Sequence, residues 1–527
     1  MTRPIAAPLA PYHADQPDGL RLAAADSGAV ADGATLNTTA LQAVLDRIAA
    51  AGGGELRFGP GRWCCGTLRL GSHTTIRLDE GAVLLGSTDH RDFSDEAQLV
   101  ARDAVGIRIL GPGTVDGANC FDPNGEGGQR GRHGIWLERC RDVILRDVLF
   151  QDIGNWGVAA WHCTDLTFER FRVHGGWDGI DLGDCARARI ADCLFETGDD
   201  CLAGAGNRDV LIEDTVLNTA CNCIRFSALR LTVRRCRFEG PSRVEHRFTG
   251  GRTNTLAALV HFSPHDRAYR GPAPHSDDWL IEDCTVSGID CLYEYDGSHF
   301  WQDGRPAGRT VFRRLDVRGV IQPVTVYGRC HGGDGLIRHC SLEFEDAVLE
   351  PRVGWEDCGF FDLRRHGGLS LVRTQLLRNR SSVPIRALDG GRVTTEGLHV
   401  DLLRGANAWV VATAPPPTDP PPPDLSAFAN QLAGCQPAGD YADGALRGRW
   451  FLRPGVEDLL LVWSVRGTVD AALRGAVTAA DATGRPPEAA PAQPWHQRSG
   501  PNGLACAVRI GAAALLLRGT GVEIVAG

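Results

Sequence analysis

The chain has 527 residues, of which 23% are charged and 43% hydrophobic, a composition typical of a soluble globular protein. Its formal net charge of -10 argues against a nucleic-acid partner, because binding to phosphates requires a basic surface. The sequence contains no lysine, which excludes Schiff-base chemistry, lysine-linked pyridoxal phosphate and the Walker phosphate loop. We therefore predict a protein without a cofactor.

Membrane contact is not expected, since the chain has no uninterrupted apolar run of about 18 residues. Residues 1–19 lack a basic segment followed by an apolar run, which predicts a cytoplasmic location, with secretion as the alternative. The 18 cysteines are spread along the chain beside apolar residues, a pattern that favours buried free thiols over disulfides. The pairs Cys64-Cys65 and Cys221/Cys223 lack the spacing of zinc ligands, so no metal site is predicted.

Residues 1–60 are interpreted as an N-terminal segment with a capping helix. Thr39-Ala-Leu-Gln42 resembles a capping box that opens an amphipathic helix, and Gly52-Gly-Gly54 would end it. A helix in this place would cover the open end of a sheet.

Residues 61–412 contain a repeat. Four segments of similar pattern, 141–150, 164–173, 186–195 and 208–217, are separated by 23, 22 and 22 residues. Each contains two short alternating β runs, too little for a propeller blade of four strands, and no leucine-rich ladder recurs. The pattern predicts an all-β fold, a right-handed parallel β-helix (solenoid) in which stacked rungs share one core.

The proline-rich stretch 413–430 is interpreted as a linker. Residues 431–527 read as short strands, and we expect a small β-rich C-terminal domain or end cap there.

The repeat register places polar residues together. The residues that precede the four segments are Cys140, Cys163, Cys185 and Asn207, and a polar residue stands 15 positions after each one, at Asn155, Asp178, Asp200 and Asn222. Because neighbouring parallel strands lie about 4.8 Å apart, Asp178 and Asp200 should be neighbours on one face, with Asp199 as a third carboxylate.

Such closely spaced carboxylates cannot all ionise at little cost, so one should keep a proton while another stays charged. That division provides a general acid and a base for glycoside hydrolysis. Two other interpretations remain open: a solvated Asp-Gly turn and a calcium site.

Two sets of motifs resemble known sequences. The first set is similar to the N-terminal signature of pectinase-type β-helix proteins: Asp32-Gly33, Asn37-Thr-Thr-Ala-Leu-Gln42, Ala51-Gly-Gly-Gly-Glu55 and Phe58-Gly-Pro-Gly61. The second set resembles the polygalacturonase family, glycoside hydrolase family 28, in the pectin lyase-like superfamily: Gly113-Thr-Val-Asp-Gly117, Trp177-Asp-Gly-Ile-Asp181 and Gly198-Asp-Asp-Cys201. The resemblance implies that Asp199 is the general acid, that Asp178 and Asp200 position and deprotonate water, and that the anomeric configuration is inverted.

The chain departs from that family at three places. Gly176-Trp177 replaces Asn-Thr, Cys221-Asn222-Cys223 replaces Gly-His-Gly, and the Arg-Ile-Lys motif is missing. Since that Arg and Lys would bind a uronate carboxylate, we expect the substrate to be a carbohydrate other than plain galacturonan. Whether the chain forms homo-oligomers is left open. The predicted substrate-binding residues are Asn155, Asp181, Asn222, Arg225, His261, Tyr293, Glu294 and Trp301.

Three questions stay open at this stage. Aromatic residues at 293–301 favour exo action on short chains, but they could equally pack on the solenoid. A rung spacing of about 4.8 Å is closer to the separation of retaining carboxylates, about 5–5.5 Å, than to that of inverting ones. The alternative functions are a β-helix polysaccharide lyase or epimerase and a non-catalytic carbohydrate-binding solenoid.

Overall fold

A computed structural model gives the architecture of the chain. It describes residues 19–261, 276–296, 307–327, 339–388, 390–403 and 411–414, the single residues Phe428 and Leu432, and six further strands between residues 436 and 526. In these ranges no helix is both long and apolar enough to span a bilayer.

The predicted fold is confirmed: the chain forms a right-handed parallel β-helix, in which every rung adds one strand to each of three parallel ladders. Ladders 1 and 2 form one 25-stranded sheet, because the long strands β19 (Leu202–Glu213) and β21 (Asn222–Arg234) run through both, and ladder 3 is a 13-stranded sheet.

The strands are numbered in chain order. Ladder 1 consists of β4 (Leu68–Arg69), β7 (Ala97–Arg102), β10 (His133–Glu138), β13 (Val158–Trp161), β16 (Ile180–Gly183), β19 (Leu202–Glu213), β21 (Asn222–Arg234), β23 (Thr255–His261), β26 (Ile289–Asp296), β29 (Val324–Tyr327), β32 (Phe361–Arg364), β35 (Ile385–Leu388) and β38 (Val411–Ala414). Ladder 2 consists, besides β19 and β21, of β1 (Leu20–Ala23), β2 (Gly54–Phe58), β5 (Thr74–Leu78), β8 (Val105–Leu110), β11 (Arg141–Arg146), β14 (Thr164–Glu169), β17 (Ala186–Ala191), β24 (Asp277–Glu282), β27 (Arg309–Arg313), β30 (His339–Glu345), β33 (His366–Val372) and β36 (Val393–Glu396).

Ladder 3 consists of β3 (Gly61–Cys65), β6 (Ala82–Gly86), β9 (Thr114–Asp116), β12 (Leu149–Gln151), β15 (Arg172–His174), β18 (Leu194–Thr197), β20 (Val216–Thr219), β22 (Arg237–Glu239), β25 (Thr285–Ser287), β28 (Asp316–Val320), β31 (Val348–Pro351), β34 (Gln375–Asn379) and β37 (His399–Leu402). Short 3-10 helices occupy Ala24–Ser27, His90–Asp92 and Glu126–Gly128.

One helix, α1 (Thr38–Ala50), packs on the first strands through Leu41, Val44, Leu45 and Ile48. The capping box predicted for it is wrong. Asn37 holds the N-cap position, and the side chain of Gln42 bonds to Asp46 and to the backbone of Arg69. The sheet also starts earlier than the predicted boundary at residue 61, since β1 and β2 already pair in parallel.

From Asp147 to Arg373, the corner between ladders 2 and 3 uses one left-handed, non-glycine residue in each rung. Its φ lies between 47° and 63°, a region that Asp tolerates better than bulkier residues do, and here Asp and Arg occupy it. Consecutive corners pair across rungs, as in Arg170 Nε to Asp147 Oδ1 at 2.6 Å and Arg235 Nε to Asp214 Oδ1 at 2.8 Å. The turn requires the left-handed conformation of these residues. The ion pairs between them are exposed, so each adds little to stability.

The interior is filled by stacked side chains from successive rungs. Phe150, Phe171 and Phe195 contact edge to face, with ring centroids 5.1 and 6.2 Å apart. The cysteines that the structure describes are all free, and most are buried. Asn207 continues the column of Cys140, Cys163 and Cys185: its Oδ1 accepts from Cys185 N (2.9 Å) and its Nδ2 donates to Leu182 O (2.8 Å).

The predicted linker, 413–430, lies mostly outside the described residues. Beyond it, an antiparallel six-stranded sheet contains β39 (Gln436–Asp443), β40 (Leu446–Leu452), β41 (Asp458–Ser464), β42 (Val469–Ala480), β43 (Leu504–Ile510) and β44 (Leu515–Ala526). This sheet falls in the segment that was predicted to be β-rich.

Replacing Asn207 tests the buried column. In Asn207→Ala the N–H of Cys185 and the C=O of Leu182 lose their partners in the core, so we expect the free energy of unfolding to fall by about 1–3 kcal/mol for each group. The urea midpoint measures the loss. As a control, Asp165→Asn removes the exposed ion pair with Arg187 and should change stability by less than about 1 kcal/mol. An unchanged midpoint for Asn207→Ala would contradict this account.

Candidate active site

The three acidic residues lie at the corner where ladder 3 passes into ladder 1. Asp178 precedes β16, and Asp199 and Asp200 precede β19 on the next rung. Asp200 N donates to Asp178 Oδ1 at 3.2 Å, and Asn222 donates to Asp200 Oδ1 from N (3.1 Å) and Nδ2 (2.9 Å). Asp178, Asp200 and Asn222 therefore form a continuous row, one residue per rung.

Gly179 allows this close stacking. A Cβ atom at this position would lie 2.5 Å from Cys201 O and 2.7 Å from the ring of Phe195. Only glycine leaves room for the two rungs to approach directly behind Asp178.

Asn155 does not stand in the row, which corrects the predicted alignment. Gly157 N donates to Asp178 O, as Gly179 N donates to Asp200 O, so Trp156 occupies the equivalent position. The turn before β13 contains one residue more than the turn before β16, and this extra residue shifts Asn155 by one place. Asn155 is nevertheless buried near the acids, and its Oδ1 accepts from Arg130 at 3.5 Å.

Two more predicted residues lie on the outer face of ladder 1. Asp181 is in register with Ala203, and Ala203 with Arg225, so one small residue separates the acid from the arginine. Arg225 Nε bonds to Asp200 Oδ2, and its side chain remains 31% exposed. Arg225 thus fixes Asp200 while keeping part of its surface open to solvent.

Burial and mutual repulsion raise the proton affinity of two carboxyls. The pKa of Asp178 is raised well above its ordinary value, first by burial and then by the charges of Asp199 and Asp200. The pKa of Asp199 is raised to about 6 by burial and by Asp200, against the opposing effect of Arg130 and Arg225. Burial lowers the pKa of Arg225, but the carboxylates of Asp200 and Asp178 outweigh this and raise it. The cluster therefore holds a proton near neutral pH beside Asp200, which is paired with Arg225.

Arg130 also contacts Asp199 and was not predicted. Its Nη2 lies 3.4 Å from Asp199 Oδ2, and its guanidinium lies 4.0 Å from the ring centre of Trp177 and 5.0 Å from that of Phe248. Phe248 is 49% exposed, so this aromatic pair borders the open side of the site. No repeat signal marks Arg130, because it lies in an irregular stretch between β9 and β10.

His246 also reaches the acids and was not selected as a site residue. It belongs to the insertion 241–254, which folds back so that Arg247 N donates to Gly198 O at 3.0 Å. Its ring is buried, and burial together with Arg252 lowers its pKa to about 4. Only the fold brings this residue close, since in the sequence it is 46 positions after Asp200.

His261 and Tyr293 were predicted to bind substrate, and both predictions are wrong. Each is fully buried inside the solenoid, where His261 Nδ1 lies 2.7 Å from Tyr293 Oη and Nε2 lies 2.7 Å from Ser276 Oγ. Because side chains alternate along a strand, it is Val260 and Glu294 that face outwards, in register with Arg225. Glu294 therefore continues the outer row, and Trp301 lies outside the described residues.

Two groups of donor atoms in the described ranges are close enough to hold a cation. One oxygen from each of Asp178, Asp199 and Asp200 lies within 4.8 Å of the others, and the same is true of donor atoms of Asp199, Cys221 and His246. The calcium alternative rests on the first group, but Arg225 already neutralises Asp200 there, which weakens it.

Comparisons with known proteins show similar sequences and a similar fold. Residues 65–222, which contain the acids, match the model of the Glycosyl hydrolases family 28. A "Probable polygalacturonase" of Vitis vinifera is 28% identical over 34% of this chain and 43% of its own length, and an "Exo-poly-alpha-D-galacturonosidase" of Dickeya chrysanthemi is 24% identical over 34% and 41%. The chain thus spans less than half of these relatives. An exopolygalacturonase structure from Thermotoga maritima has the same fold (14% identity, TM-score 0.51, 73% of this chain and 92% of that one).

The raised pKa of Asp199 predicts how stability depends on pH. Folding favours the protonated carboxyl, so this contribution is fully present below pH 4 and is lost as the pH rises through about 6. Asp199→Asn has no charge to bury and should exceed the wild type at pH 8 by on the order of 3 kcal/mol, a gain that vanishes near pH 4.

Urea denaturation of both proteins from pH 4 to pH 8 measures this difference. Asp192→Asn, at an exposed corner of the same rung, should show no such trend. A pH-independent difference for Asp199→Asn would contradict the account.

Proposed function

We propose that this chain, a divergent member of glycosyl hydrolases family 28, hydrolyses the O-glycosidic bonds of a plant- or microbe-derived oligosaccharide or polysaccharide. The observation that carries the proposal is the packing of Asp178, Asp199 and Asp200 at one corner, where the pKa values of two carboxyls are raised and the third carboxylate is paired with Arg225. Hydrolysis of an acetal needs this combination of a proton donor and a fixed negative charge.

Asp199 is the proposed general acid. A pKa of about 6 lies close to neutral pH, so the carboxyl can hold a proton and give it to the leaving oxygen. It is also the most accessible of the three, with 9% exposure against 4% and 3% for Asp178 and Asp200. The guanidinium of Arg130 then stabilises the carboxylate that remains after the transfer.

Asp200, with Asp178, is proposed to orient and deprotonate the attacking water. Asp200 Oδ1 accepts from two groups of Asn222, and Oδ2 accepts from Arg225. An oxygen held in this way is a poor nucleophile towards carbon, yet it can still accept a proton from water. This supports direct displacement with inversion, although carboxyl oxygens this close together are more typical of retaining enzymes.

The proposed substrate is a decorated or neutral relative of pectin chains rather than plain galacturonan. Arg225 is engaged by Asp200, and the sequence has no lysine to bind a uronate carboxylate. Asp181, Arg225 and Glu294 on the outer face of ladder 1, together with Asn222 beside Asp200, are the proposed contacts to sugar hydroxyls. The insertion 241–254 borders the acids on one side, which supports exo action on short chains.

Replacing the acid tests the mechanism. Asp199→Asn keeps the shape of the side chain but cannot donate the proton, so we expect kcat to fall by about 10²–10⁴ while the circular dichroism spectrum is unchanged. The matched variant Asp192→Asn should keep wild-type turnover. Full activity of Asp199→Asn would overturn the assignment.

Product analysis tests stereochemistry and substrate together. With a panel of pectic oligosaccharides, we expect faster release of monosaccharides from branched, acetylated or neutral chains than from unsubstituted polygalacturonate. Proton NMR in the first minutes should show the anomer opposite to that of the cleaved bond. Retention of configuration would exclude the water-activating role of Asp200, and a preference for plain polygalacturonate would exclude the proposed substrate class.

A further inference from the structure

Asp199, Cys221 and His246 bring three chemically different donors to one point. A carboxylate oxygen, the thiol sulfur and an imidazole nitrogen all lie within 4.8 Å of one another. Cys221 is partly accessible, whereas His246 is buried and held by its insertion, with His246 N donating to Arg252 O and Thr249 Oγ1 3.1 Å from its Nδ1. The ring is therefore positioned before any ligand arrives.

This donor set suits zinc. Carboxylate, thiolate and imidazole are the three protein ligands that zinc takes, whereas calcium and magnesium prefer oxygen alone. Bond lengths of about 2.0–2.3 Å in a tetrahedron place donors roughly 3.3–3.6 Å apart, so donors that lie within 4.8 Å of one another have to close by at most about 1.5 Å. Since the backbone and the Nδ1 atom of His246 are held by its insertion, rotation of the Asp199 and Cys221 side chains would have to provide this closure.

We propose that Asp199, Cys221 and His246 form a zinc-binding site, whose occupation switches the hydrolase off. Cys221 and Cys223 do not have the spacing of zinc ligands in the sequence. His246, which would complete the site, belongs to an insertion and stands 25 residues after Cys221. Three protein ligands leave the fourth position open to solvent or substrate.

The switching role rests on the proposed function, whereas zinc binding does not. When zinc binds, the Cys221 thiol loses its proton to solvent and Asp199 exchanges its proton for the metal. A carboxylate bound to zinc has no proton to give to a leaving oxygen. Zinc should therefore inhibit turnover, and a chelator should restore it.

Cobalt(II) is the probe, because a Co–thiolate bond has a charge-transfer absorption in the near ultraviolet. We expect the metal-free full-length protein to bind one Co²⁺, with that absorption, and zinc to displace it. Cys221→Ser should lose the absorption, and zinc affinity should fall at least ~10-fold. Cys358→Ser, which changes the other partly exposed cysteine of the described ranges, should behave as the wild type.

His246→Gln provides a second, independent variant and should weaken zinc binding to a similar degree without removing the Co–thiolate absorption. Wild-type zinc affinity in both Cys221→Ser and His246→Gln would overturn the site. Wild-type protein that binds zinc but keeps full turnover would overturn the switching role alone. A metal-free protein that binds zinc and hydrolyses no glycan would overturn the proposed function and leave the zinc site standing.

Discussion

The stacking of successive rungs in register is the constraint on which the rest of the structure depends. Parallel strands about 4.8 Å apart bring each residue next to its equivalent one turn later, about 22 positions along the chain. A favourable interaction in one rung is therefore repeated in the next, as in the columns of phenylalanine, cysteine and Asp-Arg corners. The same rule forces Asp178 against Asp200, and the protein must manage the repulsion that results.

The three carboxyl groups have different neighbours, and these neighbours offset the repulsion between them to different degrees. Asp200 receives Arg225 and Asn222, Asp199 receives Arg130 at longer range, and Asp178 is left with a backbone donor. Like charges in one place thus acquire different proton affinities because their partners differ. The division of labour proposed for hydrolysis follows from these partners rather than from the carboxyl groups themselves.

The sequence predicted the part of the site that repeats. The neighbouring positions of Asp178, Asp200 and Asn222 followed from spacing alone. The 23-residue spacing shows one extra residue in the rung of Asn155, but it does not show that this residue lies in the turn before β13, where it displaces Asn155. His261 and Tyr293 were misplaced because the alternation of side chains along β23 and β26 decides between core and surface, and the residue types alone do not reveal it. Arg130 and His246 come from irregular segments, whose path depends on tertiary contacts and leaves no periodic trace.

The insertion 241–254 separates two strands without disturbing their pairing: β21 and β23 remain in register, with Ile224 opposite Leu259 although the two are 35 positions apart in the sequence. At this corner the length of the loop therefore does not affect the pairing of the strands in ladder 1. In evolutionary terms, insertions between the strands of this solenoid can be exchanged while the paired strands are kept. Descendants of one reaction centre could change their ligands, their inhibitors or their preferred sugars while the spacing of the acids stays the same.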